Sequence, residues 1–223
     1  MASRDPFNNL EVAPDTLVLL DVGGVVVRTA WELLGDHVAV TAGILPLLGP
    51  FSLGVDTDWI RWQAGDLTEQ NYWISWADRL RGSEAIDKDM RAGDDPVRAL
   101  YQQTRSIERD CVADFLEDCS ERGHGVALVS NGVRRRVGMD RVAQLRSRHP
   151  ATSLIDAEAA GARKPSSQFF AFVEQATGVP RGRWLFIDDN QSYAQEASRL
   201  GIPAVWYRIS GSIESVDVEL VFV

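Results

Sequence analysis

Three apolar stretches of this 223-residue chain each lead directly into polar side chains that could do chemistry. Asp21 ends the first stretch, Ser130 and Asn131 follow the second, and Asp188 and Asp189 end the third. Open parallel sheets bind ligands outside the carboxyl ends of their strands, and an acid placed there faces a ligand. We therefore expect these side chains to converge on one site.

A fourth polar cluster, Gly161-Ala162-Arg163-Lys164-Pro165, lies in a loop between the last two stretches. Bringing the clusters together creates an electrostatic problem, because two negative charges about 4 Å apart repel by roughly 4 kcal/mol at an effective dielectric constant of 20. Three carboxylates with one lysine therefore need another cation. Oxygen-only ligands suit Mg²⁺, which keeps several waters and is usually completed by a phosphate.

The elements that must position these groups follow an alternating pattern of strands and helices. The apolar run before Asp21 indicates a buried parallel strand, since a strand covered on both faces needs no polar alternation. Gly23 and Gly24 then allow a sharp turn close to a ligand. Strands separated by helices predict right-handed βαβ units and a mainly parallel, Rossmann-like sheet flanked by helices. Further strands are predicted at 125–129, 153–155, 184–187 and 204–207, and helices at 112–122, 133–148, 166–177 and 192–200. Residues 218–223 add either an edge strand or a docking tail.

Residues 28–105 have a different character, with helical periodicity broken by glycines. Trp73, Trp76 and Leu80 give one apolar stripe, and Thr68 is a plausible helix cap. We predict a flexible tail at 1–16, an α/β core at 17–28 and 106–223, and a small helical cap domain at 29–105.

Five of the seven tryptophans lie in this insertion. Packing in the core is the expected role for most of them. Ligand sites favour aromatic walls at domain junctions, so Trp62 and Trp73 are candidates for a substrate pocket. Arg134, Arg135 and Arg136 are interpreted as a solvated helix face, because successive helical residues point in different directions.

Composition excludes several classes of protein. Hydrophobic residues make up 45% of the chain and charged residues 25%, as in ordinary globular proteins. A net charge of −9 argues against a nucleic-acid or anionic-membrane surface. The two cysteines match neither a zinc site nor a disulfide framework, and the first sixteen residues lack a signal-peptide pattern. We expect a cytoplasmic protein with a small-molecule partner, and the oligomeric state is left open.

Four motifs in order resemble the haloacid dehalogenase (HAD) superfamily, in the branch with a helical cap inserted after the first strand. They are DVGGVV at Asp21, LVSNG at Ser130, GARKP at Lys164, and FIDDN followed by a helix and LGI. The resemblance spans about residues 17–207 and includes the cap segment WQAGDLTEQNYWISWADRL. It implies a hydrolase, most often a Mg²⁺-dependent phosphatase of a small phosphorylated metabolite.

The resemblance also implies roles for the acidic residues. Asp21 would be the nucleophile that forms an aspartyl-phosphate, and it would also contact the metal. Gly23 would offer its backbone carbonyl to the metal. Asp189 would be the main acidic metal ligand, and Asp188 a direct or water-mediated second one.

The phosphoryl oxygens would be held by other groups of the same motifs. Ser130 and the amide of Asn131 would bind them, and Lys164 would neutralise both Asp21 and the phosphate. These roles agree with phosphoryl transfer, which needs positioning and charge neutralisation above all. A purely structural alternative is that Ser130 and Asn131 cap the helix beginning at Val133, which is compatible with holding a phosphate.

One position departs from the family's phosphatases. Most of them carry an Asp, the general acid, two residues after the nucleophile, where this chain has Gly23. A positioned acid or base typically contributes 10²–10⁴-fold in rate. Two alternatives therefore stay open: a 2-haloacid dehalogenase, in which Asp21 attacks carbon without a metal, and a catalytically impaired HAD fold that serves as a binding module.

Overall fold

The protein is described by a computed structural model that covers residues 5–38, 41–84, 95–150 and 152–223. The strands of one six-stranded sheet are β1 Leu17–Asp21, β2 Gly125–Ser130, β3 Ser153–Asp156, β4 Trp184–Asp188, β5 Ala204–Ser212 and β6 Ser215–Phe222. Their order is β3-β2-β1-β4-β5-β6, parallel except for β6, which runs antiparallel to β5. The predicted mainly parallel sheet is confirmed.

Ten α-helices are described: α1 Ala30–His37, α2 Thr57–Ala64, α3 Glu69–Gly82, α4 Pro96–Gln103, α5 Asp110–Glu121, α6 Val133–Arg136, α7 Met139–Arg148, α8 Ala157–Ala160, α9 Ser167–Thr177 and α10 Gln191–Arg199. Short 3-10 turns occupy Leu45–Leu47, Gly49–Phe51 and Arg181–Arg183. No helix in the described part of the chain combines the length and the hydropathy needed to cross a lipid bilayer.

Strand β1 shows why the apolar run folds as it does. Val18 and Leu20 pack into one hydrophobic cluster, and Leu17 and Leu19 into another. Because successive side chains of a strand point to opposite faces, both faces of the sheet are covered, as the unbroken apolar pattern predicts.

The strand register brings the predicted polar clusters to one edge of the sheet. Leu20 lies opposite Leu128 of β2 and Ile187 of β4. Asp21 therefore stands level with the end of both neighbouring strands, where Ser130 and Asp188 follow. The strand ends that carry the predicted polar clusters therefore lie together at one edge of the sheet, as the sequence predicts.

One predicted helix is divided in the structure, and one alternative left open by the sequence is decided. Residues 133–148 do not form one helix, because Gly138 has a left-handed backbone angle, φ 92°, which ends the helical path between α6 and α7. The chain end forms an edge strand, β6, that pairs with an unexpectedly long β5. The turn of this hairpin reaches α1, where Ile213 packs so closely on Gly35 that a Cβ there would lie 2.3 Å from it.

The segments that enter and leave the helical insertion pair with each other. Arg28 N–H donates to the carbonyl of Ile107 at 2.7 Å, and Arg109 N–H donates to the carbonyl of Val26 at 3.0 Å. Near the N-terminus, Phe7 is buried and stacks on Phe115 with ring centroids 4.3 Å apart. The division of the chain into tail, core and cap domain stays a prediction.

Candidate active site

Lys164 connects two of the acids at the end of the central strands. Its Nζ donates to Asp21 Oδ1 at 2.5 Å and to Asp188 Oδ2 at 2.7 Å. All three side chains are buried, and Lys164 is only 4% exposed. Unpaired buried charges are strongly unfavourable, so this ammonium fixes the two carboxylates facing each other.

Asp189 adds a third carboxylate to the same cluster. Oxygens of Asp21, Asp188 and Asp189 all lie within 4.8 Å of one another. When all three carboxylates are ionised, one lysine leaves a net charge of −2 on this set, since three negative charges meet one positive charge. Hard oxygen donors at this spacing, with excess negative charge, suit Mg²⁺. The residues therefore fit the metal that the sequence predicts.

The two glycines after Asp21 have different roles. Gly24 has φ 95°, and a Cβ there would lie 2.1 Å from Asp189 Oδ2. Gly23 does not have a positive φ, and a Cβ built there would meet no atom within 4 Å. The Gly24 turn is held by Arg109, whose Nε donates to the Gly24 carbonyl at 3.0 Å. Only Gly24 is therefore required by backbone shape and by close approach to an acid.

Burial dominates the ionisation of the acid cluster. It raises the pKa of Asp21 to about 7, with Lys164 opposing the rise and Asp188 adding to it. The pKa of Asp189 is raised well above its usual value by burial and by repulsion from Asp21 and Asp188. Burial lowers the pKa of Lys164, but the charges of Asp188 and Asp21 outweigh it and raise that pKa overall. A further cation would oppose the rise in both acids.

Ser130 and Asn131 contact backbone groups around the same edge. Ser130 Oγ accepts hydrogen bonds from the N–H groups of Gly132 at 3.2 Å and Val133 at 3.0 Å. The structural alternative of helix capping is thus present for Ser130, while its O–H can still donate to a ligand. Asn131 binds the Lys164 main chain twice, accepting from its N–H at 2.8 Å and donating to its carbonyl at 3.1 Å.

Glu69, the first residue of α3, reaches the core from the insertion. Its carboxylate accepts from Asn131 Nδ2 at 2.9 Å and forms ion pairs with Arg136 and, at 3.7 Å, with Arg163. Burial raises the pKa of Glu69, but the charge of Arg136 and the hydrogen bond from Asn131 outweigh it, and the net shift is downward. Glu69 therefore acts as a buried anion that joins the insertion to the core.

Sequence analysis missed Glu69 and misplaced Arg136. The solvated-face interpretation is wrong for Arg136, whose side chain is 15% exposed and lies over the Trp73 ring at 5.2 Å. It is wrong because α6 ends after one turn, so Arg136 is not part of a long amphipathic helix. The only sequence signal for Glu69 is its position directly after Thr68, the predicted helix cap. The cap is confirmed, because Thr68 Oγ1 accepts a hydrogen bond from the Asn71 N–H at 3.2 Å.

Tryptophans form the wall opposite the acids. Trp31 stacks on Trp73 with centroids 5.5 Å apart, and Trp62 stacks on Tyr72 at 4.9 Å. Trp31, Trp62 and Trp73 line the same cavity as Asp21, whereas Trp76 is fully buried in the packing behind them. That Trp62 and Trp73 contact a substrate stays a prediction.

The acids and the tryptophans line one partly open cavity with a volume of about 40 Å³. Its walls come from both sides, and each predicted site residue lies on them: Asp21, Gly23, Trp62, Trp73, Ser130, Asn131, Lys164, Asp188 and Asp189. Other side chains on the walls, which sequence analysis did not select, are Thr29, Trp31, Glu69, Tyr101, Arg136 and Tyr193. The insertion and the core thus enclose one small space around the acids.

No family model matches the chain. A curated relative, the (S)-2-haloacid dehalogenase of Pseudomonas sp. (strain YL), is 28% identical over 102 residues, which is 46% of this chain and 44% of that enzyme. The match therefore spans less than half of the relative's length.

Solved structures extend the likeness over most of the chain. The putative HAD-hydrolase YfnB from Bacillus subtilis, bound to magnesium, has a TM-score of 0.59 at 16% identity and 86% coverage of each chain. A dehalogenase has a TM-score of 0.61 at 19% identity, covering 91% of this chain and 88% of its own. The L-2-haloacid dehalogenase RSc1362 has a TM-score of 0.55 at 17% identity, covering 88% and 87%. At these identities the likeness shows a shared fold.

Proposed function

We propose that this chain, a HAD-like hydrolase by its fold and motifs, is a Mg²⁺-dependent phosphatase that acts on a small phosphorylated metabolite. The observation that carries the proposal is the acid cluster of Asp21, Asp188 and Asp189, which has one lysine for three carboxylates. A site that only bound a neutral ligand would have no need of this buried excess of charge. A cation and a phosphoryl group together complete it.

In the proposed reaction, an oxygen of Asp21 would attack phosphorus and form an aspartyl-phosphate as the bond from phosphorus to the leaving oxygen breaks, and the departing oxygen would take a proton from water. Bound Mg²⁺ would neutralise charge between the carboxylates and the phosphoryl oxygens, with Asp21, Asp189, the Gly23 carbonyl and Asp188 as its candidate ligands. Lys164 holds Asp21 in place at 2.5 Å and balances its charge.

The phosphoryl group needs donors on the side away from the metal. The Ser130 hydroxyl and the backbone N–H of Asn131 lie at the end of β2, one strand from Asp21. The Asn131 side chain is hydrogen-bonded to Glu69 and to the main chain of Lys164, so its role would be to position Lys164. Water then cleaves the aspartyl-phosphate, which restores Asp21 and releases phosphate.

A second candidate function, 2-haloacid dehalogenation, is favoured by specific observations. A halide leaves without a proton, which fits the side-chain-free Gly23, and a small haloacid fits a cavity of about 40 Å³. The curated relative is itself a 2-haloacid dehalogenase. Attack at carbon needs no divalent cation, however, and leaves the third carboxylate, Asp189, without a partner charge.

One experiment separates the two candidates. The native protein, Asp21→Asn and Asp189→Asn are assayed for phosphate release from phosphorylated metabolites and for halide release from 2-haloacids, each with Mg²⁺ and with chelator. We expect phosphate release that needs Mg²⁺, vanishes in Asp21→Asn and falls strongly in Asp189→Asn. An exposed acid on α3, Asp78→Asn, is the matched control for loss of a carboxylate. Halide release at full rate in chelator, without phosphate release, would overturn the phosphatase proposal.

A further inference from the structure

We infer that Arg109 is a positioning residue for the proposed Mg²⁺ site: together with Glu32, it ties the turn formed by residues 22–27 to the helical insertion. The inference rests on the proposed function, in which the carbonyl of Gly23 in this turn is a candidate metal ligand. It names the side chains that hold this carbonyl in place, and it predicts that the affinity for Mg²⁺ depends on them.

The 22–27 turn carries one candidate ligand and touches another. Gly23 lines the cavity beside the acids, and Gly24 approaches so closely that a Cβ there would lie 2.1 Å from Asp189 Oδ2. Glycines have more backbone freedom than other residues, so two of them in succession do not fix the shape of a turn by local sterics. The carbonyl groups of this turn therefore keep their positions only if other groups bind its backbone.

Hydrogen bonds within the turn fix one peptide plane. The Gly24 N–H donates to the Val27 carbonyl at 2.8 Å, and the Val27 N–H donates to the Val22 carbonyl at 2.8 Å. The Gly23 carbonyl shares its peptide unit with the Gly24 N–H. Because this unit is planar and trans, the carbonyl is directed away from Val27. A displacement of Gly24 would therefore reorient the candidate ligand.

Arg109 binds the same turn at two carbonyl groups. Its backbone N–H donates to the Val26 carbonyl at 3.0 Å, and its side-chain Nε donates to the Gly24 carbonyl at 3.0 Å. Arg109 directly precedes α5, and this helix buries Val112 and Phe115 in the hydrophobic core. The turn is thus fastened to an element of the core at two points.

The two terminal nitrogens of the Arg109 guanidinium bind the insertion. Nη1 donates to Glu32 Oε1 at 2.9 Å, and Nη2 donates to Glu32 Oε2 at 2.6 Å. Glu32 belongs to α1, the first helix of the insertion, and it also accepts from the N–H and the hydroxyl of Thr29 at 2.8 and 2.7 Å. One planar side chain therefore contacts both the 22–27 turn and the insertion.

The contribution of Arg109 to the site is its shape rather than its charge. The side chains of Arg109 and Glu32 are only 9% and 2% exposed, and each charge is matched by the other. A lysine keeps the positive charge but has a single nitrogen in place of the planar fork, so it cannot bind Glu32 and the Gly24 carbonyl in the same way. The Arg109→Lys variant therefore separates positioning of the turn from charge balance.

A second arginine at the same junction supplies the matched control. Arg28 pairs with Asp36 of α1 through two nitrogens, at 2.7 and 2.9 Å. Its remaining side-chain hydrogen bond among the described residues goes to the Glu32 carbonyl, which is also in α1. Arg28→Lys thus changes an arginine fork between the same helix and the same junction without removing a side-chain hydrogen bond to the 22–27 turn.

The test measures the binding of Mg²⁺ alone to the native protein, Arg109→Lys and Arg28→Lys. Titration calorimetry without substrate gives the Kd, and the melting temperature is recorded as Mg²⁺ is added. We expect the Kd to rise about tenfold or more in Arg109→Lys, because groups that orient metal ligands typically contribute 10–100-fold in affinity. Arg28→Lys should bind Mg²⁺ as the native protein does.

Hydrolysis of phenyl phosphate gives a second readout. Arg109→Lys should need about tenfold more Mg²⁺ for its half-maximal rate, by the same argument. Excess Mg²⁺ should restore most of kcat, with little change in the KM for phenyl phosphate. A purely structural role of Arg109 would instead lower the melting temperature in chelator and leave the Mg²⁺ requirement unchanged.

A second pair of variants covers the case in which Arg109→Lys does not fold. Glu32→Gln leaves Arg109 in place but removes the charge that holds its terminal nitrogens, and Asp36→Asn is the matched control in the Arg28 pair. We expect Glu32→Gln to weaken Mg²⁺ binding several-fold and Asp36→Asn to leave it unchanged.

Two outcomes overturn the inference while leaving the phosphatase function intact: native Mg²⁺ affinity in Arg109→Lys, or an equal loss of affinity in Arg28→Lys. For the second pair, equal affinities in Glu32→Gln and Asp36→Asn have the same meaning. Failure of the native protein to bind Mg²⁺ overturns the Mg²⁺-dependent phosphatase proposal itself, and the inference with it.

Discussion

The two walls of the cavity are built on different principles. On the core wall, Asp21, Asp188 and Lys164 are charged, buried and joined by short hydrogen bonds at the ends of strands. On the insertion wall, Trp31, Trp62 and Trp73 provide apolar surface and few polar contacts. Under the proposed function, the core wall would carry the chemistry common to many substrates, and the insertion wall would set the size and shape of the group that can be accepted.

Polar contacts join the two walls. Glu69 joins them through Asn131 and Arg136, and Gln63 of α2 accepts from the N–H of Gln191 at 3.0 Å. Asn131 also binds the Lys164 main chain, so its amide links Glu69 of the insertion to the charged cluster. Changes on the core wall should therefore affect every substrate, and changes on the insertion wall should affect substrates unequally.

The largest effect is expected from a methyl group at Gly24. Gly24→Ala places a Cβ against the Asp189 carboxylate and forces a left-handed angle that costs about 1–2 kcal/mol for a residue with a side chain. We expect at least a 100-fold loss of Mg²⁺-dependent turnover on every substrate and a higher Mg²⁺ requirement. Gly23→Ala is the matched control, because its Cβ meets nothing within 4 Å. Equal losses in the two variants would contradict the roles assigned to the glycines.

The next effect should come from adding an acid to the core wall. Gly23 has room for a side chain and no left-handed angle, so Gly23→Asp can be accommodated. We expect a gain of about 10–100-fold on alkyl phosphates and little change on aryl phosphates, because only poor leaving groups need the proton. A flat dependence on leaving group in the native protein would show that another residue already supplies that proton.

A smaller and selective effect is expected on the insertion wall. Trp62→Leu should change the relative kcat/KM for two phosphorylated metabolites several-fold, while hydrolysis of a very small phosphate changes less. Trp76→Leu is the control, because Trp76 is fully buried away from the cavity. It should lower the melting temperature, since large-to-small core changes cost up to about 3–5 kcal/mol, without altering selectivity. Parallel losses on all substrates in Trp62→Leu would assign that residue to packing.

The smallest effect concerns pH and stability. Asp21 has a pKa of about 7 in the folded metal-free protein, above its ordinary value of 3.8, with burial as the main cause. The folded state thus binds more protons than the unfolded state between these values, and the free energy of unfolding falls as pH rises from about 4 to about 7. In chelator, the melting temperature should fall by a few degrees over this range, and less in Asp21→Asn. Mg²⁺ should raise it more at pH 8 than at pH 5. A rise with pH in chelator that persists in Asp21→Asn would contradict this assignment.

Much of the core wall can be predicted from the sequence because its determinants are local. An apolar strand that ends in Asp21 and two glycines indicates both the strand and the edge that it faces. The same reasoning places Ser130 and Asp188, since parallel strands end on one side of a sheet. A helical pattern does not show where a helix is interrupted. The pattern over residues 133–148 predicts one helix, whereas the structure has two helices divided at Gly138.

The insertion wall could not be derived in the same way. Glu69 and Asn131 are 62 residues apart, and Lys164 and Asp21 are 143 apart. Periodicity placed Trp73 and Trp76 on one helix, yet only the packing of that helix on the core determines that Trp73 lines the cavity and Trp76 does not. Arg136 became a buried partner of Glu69 through the same packing.

The sequence by itself determined the parallel α/β core and the acids at its strand ends, because strand direction follows from residue order, and its charge balance predicts a cation among those acids. The tertiary structure alone decided which glycine turns left-handed against Asp189, which tryptophan N–H groups stay unpaired and which arginines meet Glu69. These properties depend on distances between segments far apart in the chain. Such distances are set by how whole elements pack, and no local pattern of residues encodes them.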